Sequence, residues 1–155
     1  LPVDKAGRIS LEDLDEAITK DTVLVSIMHV NNEVGTIQDL EAIGKIIKAR
    51  SSRAKFHVDG VQSYGKFPVD VKKMNIDYFT AAAHKIHWPK GTGFVYIKKG
   101  AGINSLISGG SQERGFRAGT QNLPSIIGFE KAAKMTFDKI DENYNSVLAI
   151  KKYMI

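Results

Sequence analysis

The sequence predicts an α/β fold, a mixed and mostly parallel sheet with helices packed on it. Two observations predict it: short β-branched or aromatic runs alternate with stretches of helical period, and polar, glycine-containing segments follow the apolar runs. The length sets the scale. A chain of 155 residues, 43% hydrophobic and 25% charged, can bury one sizeable core, so one domain is expected.

The elements follow in order. Ser10–Lys20 reads as a helix, with Ser10 as N-cap and Asp13 three residues on as a capping-box acid. Thr22–Met28 (TVLVSIM) has the composition and length of a strand. Asp39–Arg50 repeats apolar residues at Leu40, Ile43, Ile46 and Ile47, a helical stripe. Lys55–Asp59, Ile76–Ala81 and Gly93–Ile97 (GFVYI) read as further strands. Asn122 caps a long helix that starts around Pro124 and is expected to continue to about residue 154. In open sheets of this kind ligands gather beyond the carboxyl ends of the strands. That rule singles out HVNNEVG (29–35), DGVQSYG (59–65) and AAHKIHWPKGTG (82–93).

The bulk properties exclude several classes. The formal charge is +5, from 22 Lys and Arg against 17 Asp and Glu, but the basic residues are scattered and no aromatic stacking motif lies among them. A nucleic-acid module is therefore not expected. No apolar run approaches the ~20 residues of a spanning helix, so no membrane partner is expected. With no cysteine there is neither a disulfide framework nor a cysteine-ligated metal, which is compatible with a cytoplasmic protein. Leu1 is not a natural start, and a fragment of a longer chain is expected.

Chemistry concentrates in four places. Asp59 ends the apolar stretch Phe56-His57-Val58, and a carboxylate at the lip of a sheet is costly without a positive partner. It reads either as a turn or capping aspartate, or as the counter-charge of a protonated ring nitrogen. Lys85, in Ala83-His84-Lys85-Ile86-His87, is either a surface lysine or an amine used chemically; only the neutral amine forms an imine. His84 and His87, with His57 and Asp59, have a spacing that a metal could use, but Pro89 and the following glycines favour a loop, and no metal is expected. GGSQERGFRAGT (109–120) is either a flexible loop or an anion site, with free backbone N–H groups and donors from Arg114, Arg117 and Thr120.

Together, and in this order, His29–Gly35, His57–Gly65, Ala83–Gly93 and Gly109–Thr120 resemble the middle of a cysteine desulfurase of the class V aminotransferase family, which uses pyridoxal 5'-phosphate on a type I fold. The resemblance covers essentially the whole chain. It implies that residues 1–155 are part of the large cofactor-binding domain, with the last helix (about 122–154) leading to a missing small domain. It implies Lys85 as the catalytic Schiff-base lysine and His84 as a phosphate contact. Asp59 would pair with the pyridine nitrogen, Gln62 would bond the phenolic oxygen, and Asn32 would lie beside that oxygen. Thr120 would reach the phosphate in the other subunit of a homodimer, with Arg114 and Arg117 helping to order that loop or the subunit contact.

The implied parent enzyme takes L-cysteine and releases L-alanine. The sulfur passes as an enzyme persulfide to an acceptor such as an iron–sulfur scaffold, or toward thionucleotide synthesis. The alternatives are a selenocysteine lyase, an aminotransferase of the same family, or a non-catalytic relative that keeps only the fold and dimer surface. Two positions depart from the pattern. Ala82 stands where the family has a serine or threonine, a loss of roughly 1.5–3 kcal/mol in a charge-assisted hydrogen bond to the phosphate. Trp88 replaces a glycine and is expected to crowd the cofactor loop. The chain also lacks the family's sulfur-accepting cysteine, so by itself it is expected to be inactive and to associate through exposed edges.

Overall fold

The computed structural model describes residues 1–154. The helix α1 (Leu11–Ala17) begins as its capping residue dictates, the Ser10 hydroxyl accepting from the Asp13 N–H at 3.1 Å. It ends before Lys20 because Thr19 and Thr22 tie a turn through their hydroxyls, which also delays strand β1 to Leu24–Met28. Asp39 caps α2 (Leu40–Arg50), whose stripe of Leu40, Ile43 and Ile47 is buried. Strands β2 (Lys55–Asp59) and β4 (Gly93–Ile97) lie where the sequence places them. Strand β3 is Tyr78–Ala82, not Ile76–Ala81. Its start is set by Asp77, whose carboxylate accepts from the Phe56 N–H at 3.0 Å, while Ile76 is spent on the preceding turn, N–H to Val71 C=O.

The sheet order is β1-β2-β3-β4, with β1, β2 and β3 parallel and β4 antiparallel to β3. Helix α2 makes the β1–β2 crossover. The β2–β3 crossover has no helix; it is a string of turns across residues 60–77, where Gly60, Gly65 and Pro68 interrupt any helical run. One face of the sheet, bearing Val25, Phe56, Val58, Phe79 and Ala81, packs on Leu14, Ile18, Leu40, Ile43 and Ile47 to form the main core. The other face carries Ser26 level with His57, and Thr80 one position diagonally onward on β3. Here His57 Nδ1 lies 2.7 Å from the Ser26 hydroxyl, and Nε2 lies 3.3 Å from that of Thr80.

The single long C-terminal helix expected from the sequence is instead two. Asn122 caps α3 (Leu123–Phe137), and α4 (Ile140–Met154) follows after a break at 138–139. The reason is local. The Thr136 hydroxyl donates to the Ala132 carbonyl at 2.8 Å, and the Lys139 N–H turns to the Thr136 carbonyl, a tightened bond that ends the α-ladder.

Helix α2 is also tied to the crossover by charge. Glu41 accepts from Lys45 and Lys73, each at 2.7 Å, and these bonds hold its carboxyl down at about 2. A depressed carboxylate stabilises the fold above its unfolded-state pKa and loses that contribution as pH falls through the folded value. Lys73→Ala is therefore expected to raise the Glu41 midpoint in an NMR pH titration, and high salt to do the same in the unaltered chain.

Candidate functional site

The three parallel strands point their carboxyl ends at one edge, and the register puts Met28, Asp59 and Thr80 level with one another. Asp59 is half-buried there. One carboxylate oxygen accepts from the Val61 N–H at 2.9 Å, which turns the chain sharply, and its carbonyl accepts from the His29 N–H at 3.0 Å. The other carboxylate oxygen makes no hydrogen bond within the described residues. Gly60 is obligatory after it, because a Cβ would lie 1.9 Å from the ring of Phe79. Burial holds His29 and His57 below the ordinary imidazole range, with Asp59 pulling His57 partly back.

The turn from Gly60 to Phe67 is anchored at Ser63, fully buried, whose N–H and hydroxyl both donate to the Gly60 carbonyl. It presents Gln62, half-buried, and Lys66, which sequence reasoning overlooked. The Lys66 ammonium donates to Gln62 Oε1 at 3.2 Å. Burial, and then the nearby Lys85 ammonium, hold Lys66 below the ordinary lysine range. The one available signal was the spacing of four between Gln62 and Lys66, which the prediction missed because it closed the loop at Gly65.

Lys85 closes a single 3₁₀ turn, Ala83–Lys85, that follows β3 directly. Ala83 and Ile86 on either side are buried, so the half-buried Lys85 is held on an anchored backbone. Trp88 puts its bulk against this turn, as expected, packing on Ala83 and Ile86 in a cluster with Phe129 of α3, and its ring lies where a Cβ on Gly128 would be, 1.8 Å away. The left-handed backbone position in this loop belongs to His87, at φ 69°.

Asp59, Gln62, Lys66 and Lys85 thus share one edge. No described hydrogen bond joins the other expected residues to this set. His84 is exposed on the turn, and exposed Asn32 spends its amide on Glu33 at 2.7 Å, while Asn31 shapes that loop by accepting from the Glu33 and Val34 N–H groups. Thr120 lines a different groove, between β4 and α3, with Arg114, Arg117, Phe94 and Ile126. Neither that groove nor the one beneath β1 includes Asp59 or Lys85.

The donor set at the strand edge fits the ring of pyridoxal phosphate: a carboxylate oxygen without a partner for a ring N–H, an amide for a phenolic oxygen, and an amine for the carbonyl carbon. The phosphate end is thinner: His84 lies on the turn, and Ala82 caps that 3₁₀ turn without a side-chain bond. Ala82→Ser is expected to tighten cofactor binding by about tenfold, corresponding to about 1.5 kcal/mol for a charge-assisted bond, measured by fluorescence titration of the full-length protein.

Comparison with known proteins agrees. A family model described as aminotransferase class-V matches residues 1–151. The cysteine desulfurase IscS of Methanosarcina thermophila is 46% identical over 155 residues, covering 100% of this chain and 38% of that protein. A solved NifS-like protein superposes with a TM-score of 0.88 at 47% identity, over 92% of this chain and 39% of the other. The structure of SspA in complex with cysteine gives 0.82 at 40%, over 86% and 39%. The chain therefore spans about two-fifths of the length of these relatives. A match over nearly every residue, on a sheet whose edge carries Asp59, Gln62 and Lys85 in sequence order, means that the chain belongs to the aminotransferase class-V family.

Proposed function

We propose that this chain is the cofactor-binding core of a pyridoxal-phosphate-dependent cysteine desulfurase. One observation carries the reading: Asp59, the Gln62–Lys66 pair and Lys85 gather at the carboxyl edge of the parallel strands in a chain of this family. When bound, pyridoxal phosphate supplies an electron sink for charge developing at the substrate α-carbon. Asp59 would present a carboxylate to the ring nitrogen and favour its protonated form. Gln62 would donate to the phenolic oxygen. Lys85 would be the amine that holds the cofactor and the base for the α-proton. His84 would contribute a donor to the phosphate.

The substrate reading rests on relatives named as cysteine desulfurases and on a structural neighbour that holds cysteine. L-Cysteine would leave as L-alanine, its sulfur passing to a thiol as a persulfide. With no cysteine among these 155 residues, that thiol belongs to another segment. The groove that carries Thr120, Arg114 and Arg117 away from Lys85 supports a homodimer in which Thr120 serves the partner's phosphate. A sulfur-accepting scaffold protein would be the next partner.

The test is product analysis. Full-length protein loaded with pyridoxal phosphate and given L-cysteine and a thiol reductant should release alanine and sulfide in equal amounts. Amino transfer to a keto acid would instead support the aminotransferase alternative. Failure to bind the cofactor would leave only a non-catalytic relative.

A further inference from the structure

We infer that Lys66 is a positioning residue that locks the Gln62 amide in one orientation, so that Gln62 can only donate toward the cofactor; this rests on the reading above. An ammonium has three donors and no acceptor, so a side-chain amide facing it must present its oxygen. The 3.2 Å contact from Lys66 Nζ to Gln62 Oε1 meets that requirement and leaves the NH₂ group of Gln62 free to donate to an anionic oxygen. Without Lys66 the amide is free to flip, and half of its orientations present an acceptor to that oxygen.

The backbone under Lys66 is built to hold it there. Its own N–H and that of Phe67 both donate to the carbonyl of the buried Ser63. On one side Gly65, at φ 75°, passes so close to Ile86 that a Cβ would lie 2.8 Å from its Cγ2. On the other, the Phe67 ring packs on His29 and Tyr144, with centroids 6.0 and 5.6 Å apart. The Lys66 side chain is exposed, but its backbone is held between two packed neighbours, one of which lies against Ile86, the residue after Lys85. The charged group that faces it is Lys85, and none of the ion pairs among the described residues includes either lysine.

The experiment uses full-length protein with pyridoxal phosphate as the probe, and variants Lys66→Ala, Lys66→Arg, Gln62→Ala and Lys66→Ala/Gln62→Ala. Two readouts are taken besides activity: the cofactor dissociation constant, and the pH midpoint of the bound cofactor's visible band. Lys66→Ala is expected to weaken binding by about tenfold and to raise the midpoint, since removing a nearby positive charge favours protonation. Lys66→Arg should restore both, and in the Gln62→Ala background Lys66→Ala should change the dissociation constant by less than about twofold, the mark of one residue acting through another. Values for Lys66→Ala within twofold of the unaltered protein overturn the inference and make the contact a surface one. An undiminished effect in the Gln62→Ala background also overturns it. Absence of cofactor binding by the unaltered protein removes the underlying reading, and this inference with it.

Discussion

Replacing Lys85 by alanine in the full-length protein is expected to abolish the visible absorption of bound pyridoxal phosphate and to cut desulfurase turnover by about 10³-fold or more. Lys85→Arg is expected to be as damaging. Arginine keeps the positive charge but cannot give up its proton, so it neither attacks a carbonyl carbon nor serves as a base. The contrast separates chemistry from charge, because a lysine that only attracted an anion would tolerate arginine. Circular dichroism should stay unchanged for both. Lys85 is half-buried at the end of a turn whose anchors are Ala83 and Ile86, and no described hydrogen bond or ion pair depends on its side chain. A Lys85→Ala protein that kept the absorption band would sink the assignment.

The second large effect is in packing. Gly128→Ala is expected to cost about 3 kcal/mol in urea unfolding, because its Cβ would sit 1.8 Å from the indole of Trp88, held in a cluster with little room to yield. Trp88→Ala alone should cost a similar amount, about 3 kcal/mol, through the cavity it leaves. In the Trp88→Ala background the sign for Gly128→Ala should invert. The clash is gone, and alanine is better than glycine in a helix interior by up to about 1 kcal/mol. An additive double mutant would show that the two residues do not touch. The same cluster includes Ala83, so either single change should also loosen the turn that carries Lys85 and weaken cofactor binding along with stability.

Much of this molecule is legible in its residues taken in order. Ser10, Asp39 and Asn122 cap their helices as side-chain acceptors do anywhere, and the apolar period of 40–50 is that of a buried helical face. Such signals act over one turn and need no tertiary partner, so they can be read from the chain. Asp59 and Lys85 were left open by local reading, one as a turn aspartate and the other as a surface lysine, and only the resemblance of the four segments singled them out.

Other features belong to the tertiary structure alone. The start of β3 depends on Asp77 reaching across to the Phe56 N–H, a contact between residues 21 apart in sequence. The direction of the Trp88 ring depends on a bare Gly128 on a helix 40 residues later, where sequence reading gave only bulk close to the cofactor loop. The role inferred for Lys66 depends on which way an amide faces and on what holds the backbone to either side. Local preference set the elements and marked the edge where chemistry gathers. Long-range packing decided which side chains occupy that edge, because burial and steric exclusion act between parts of the chain that only the fold brings together.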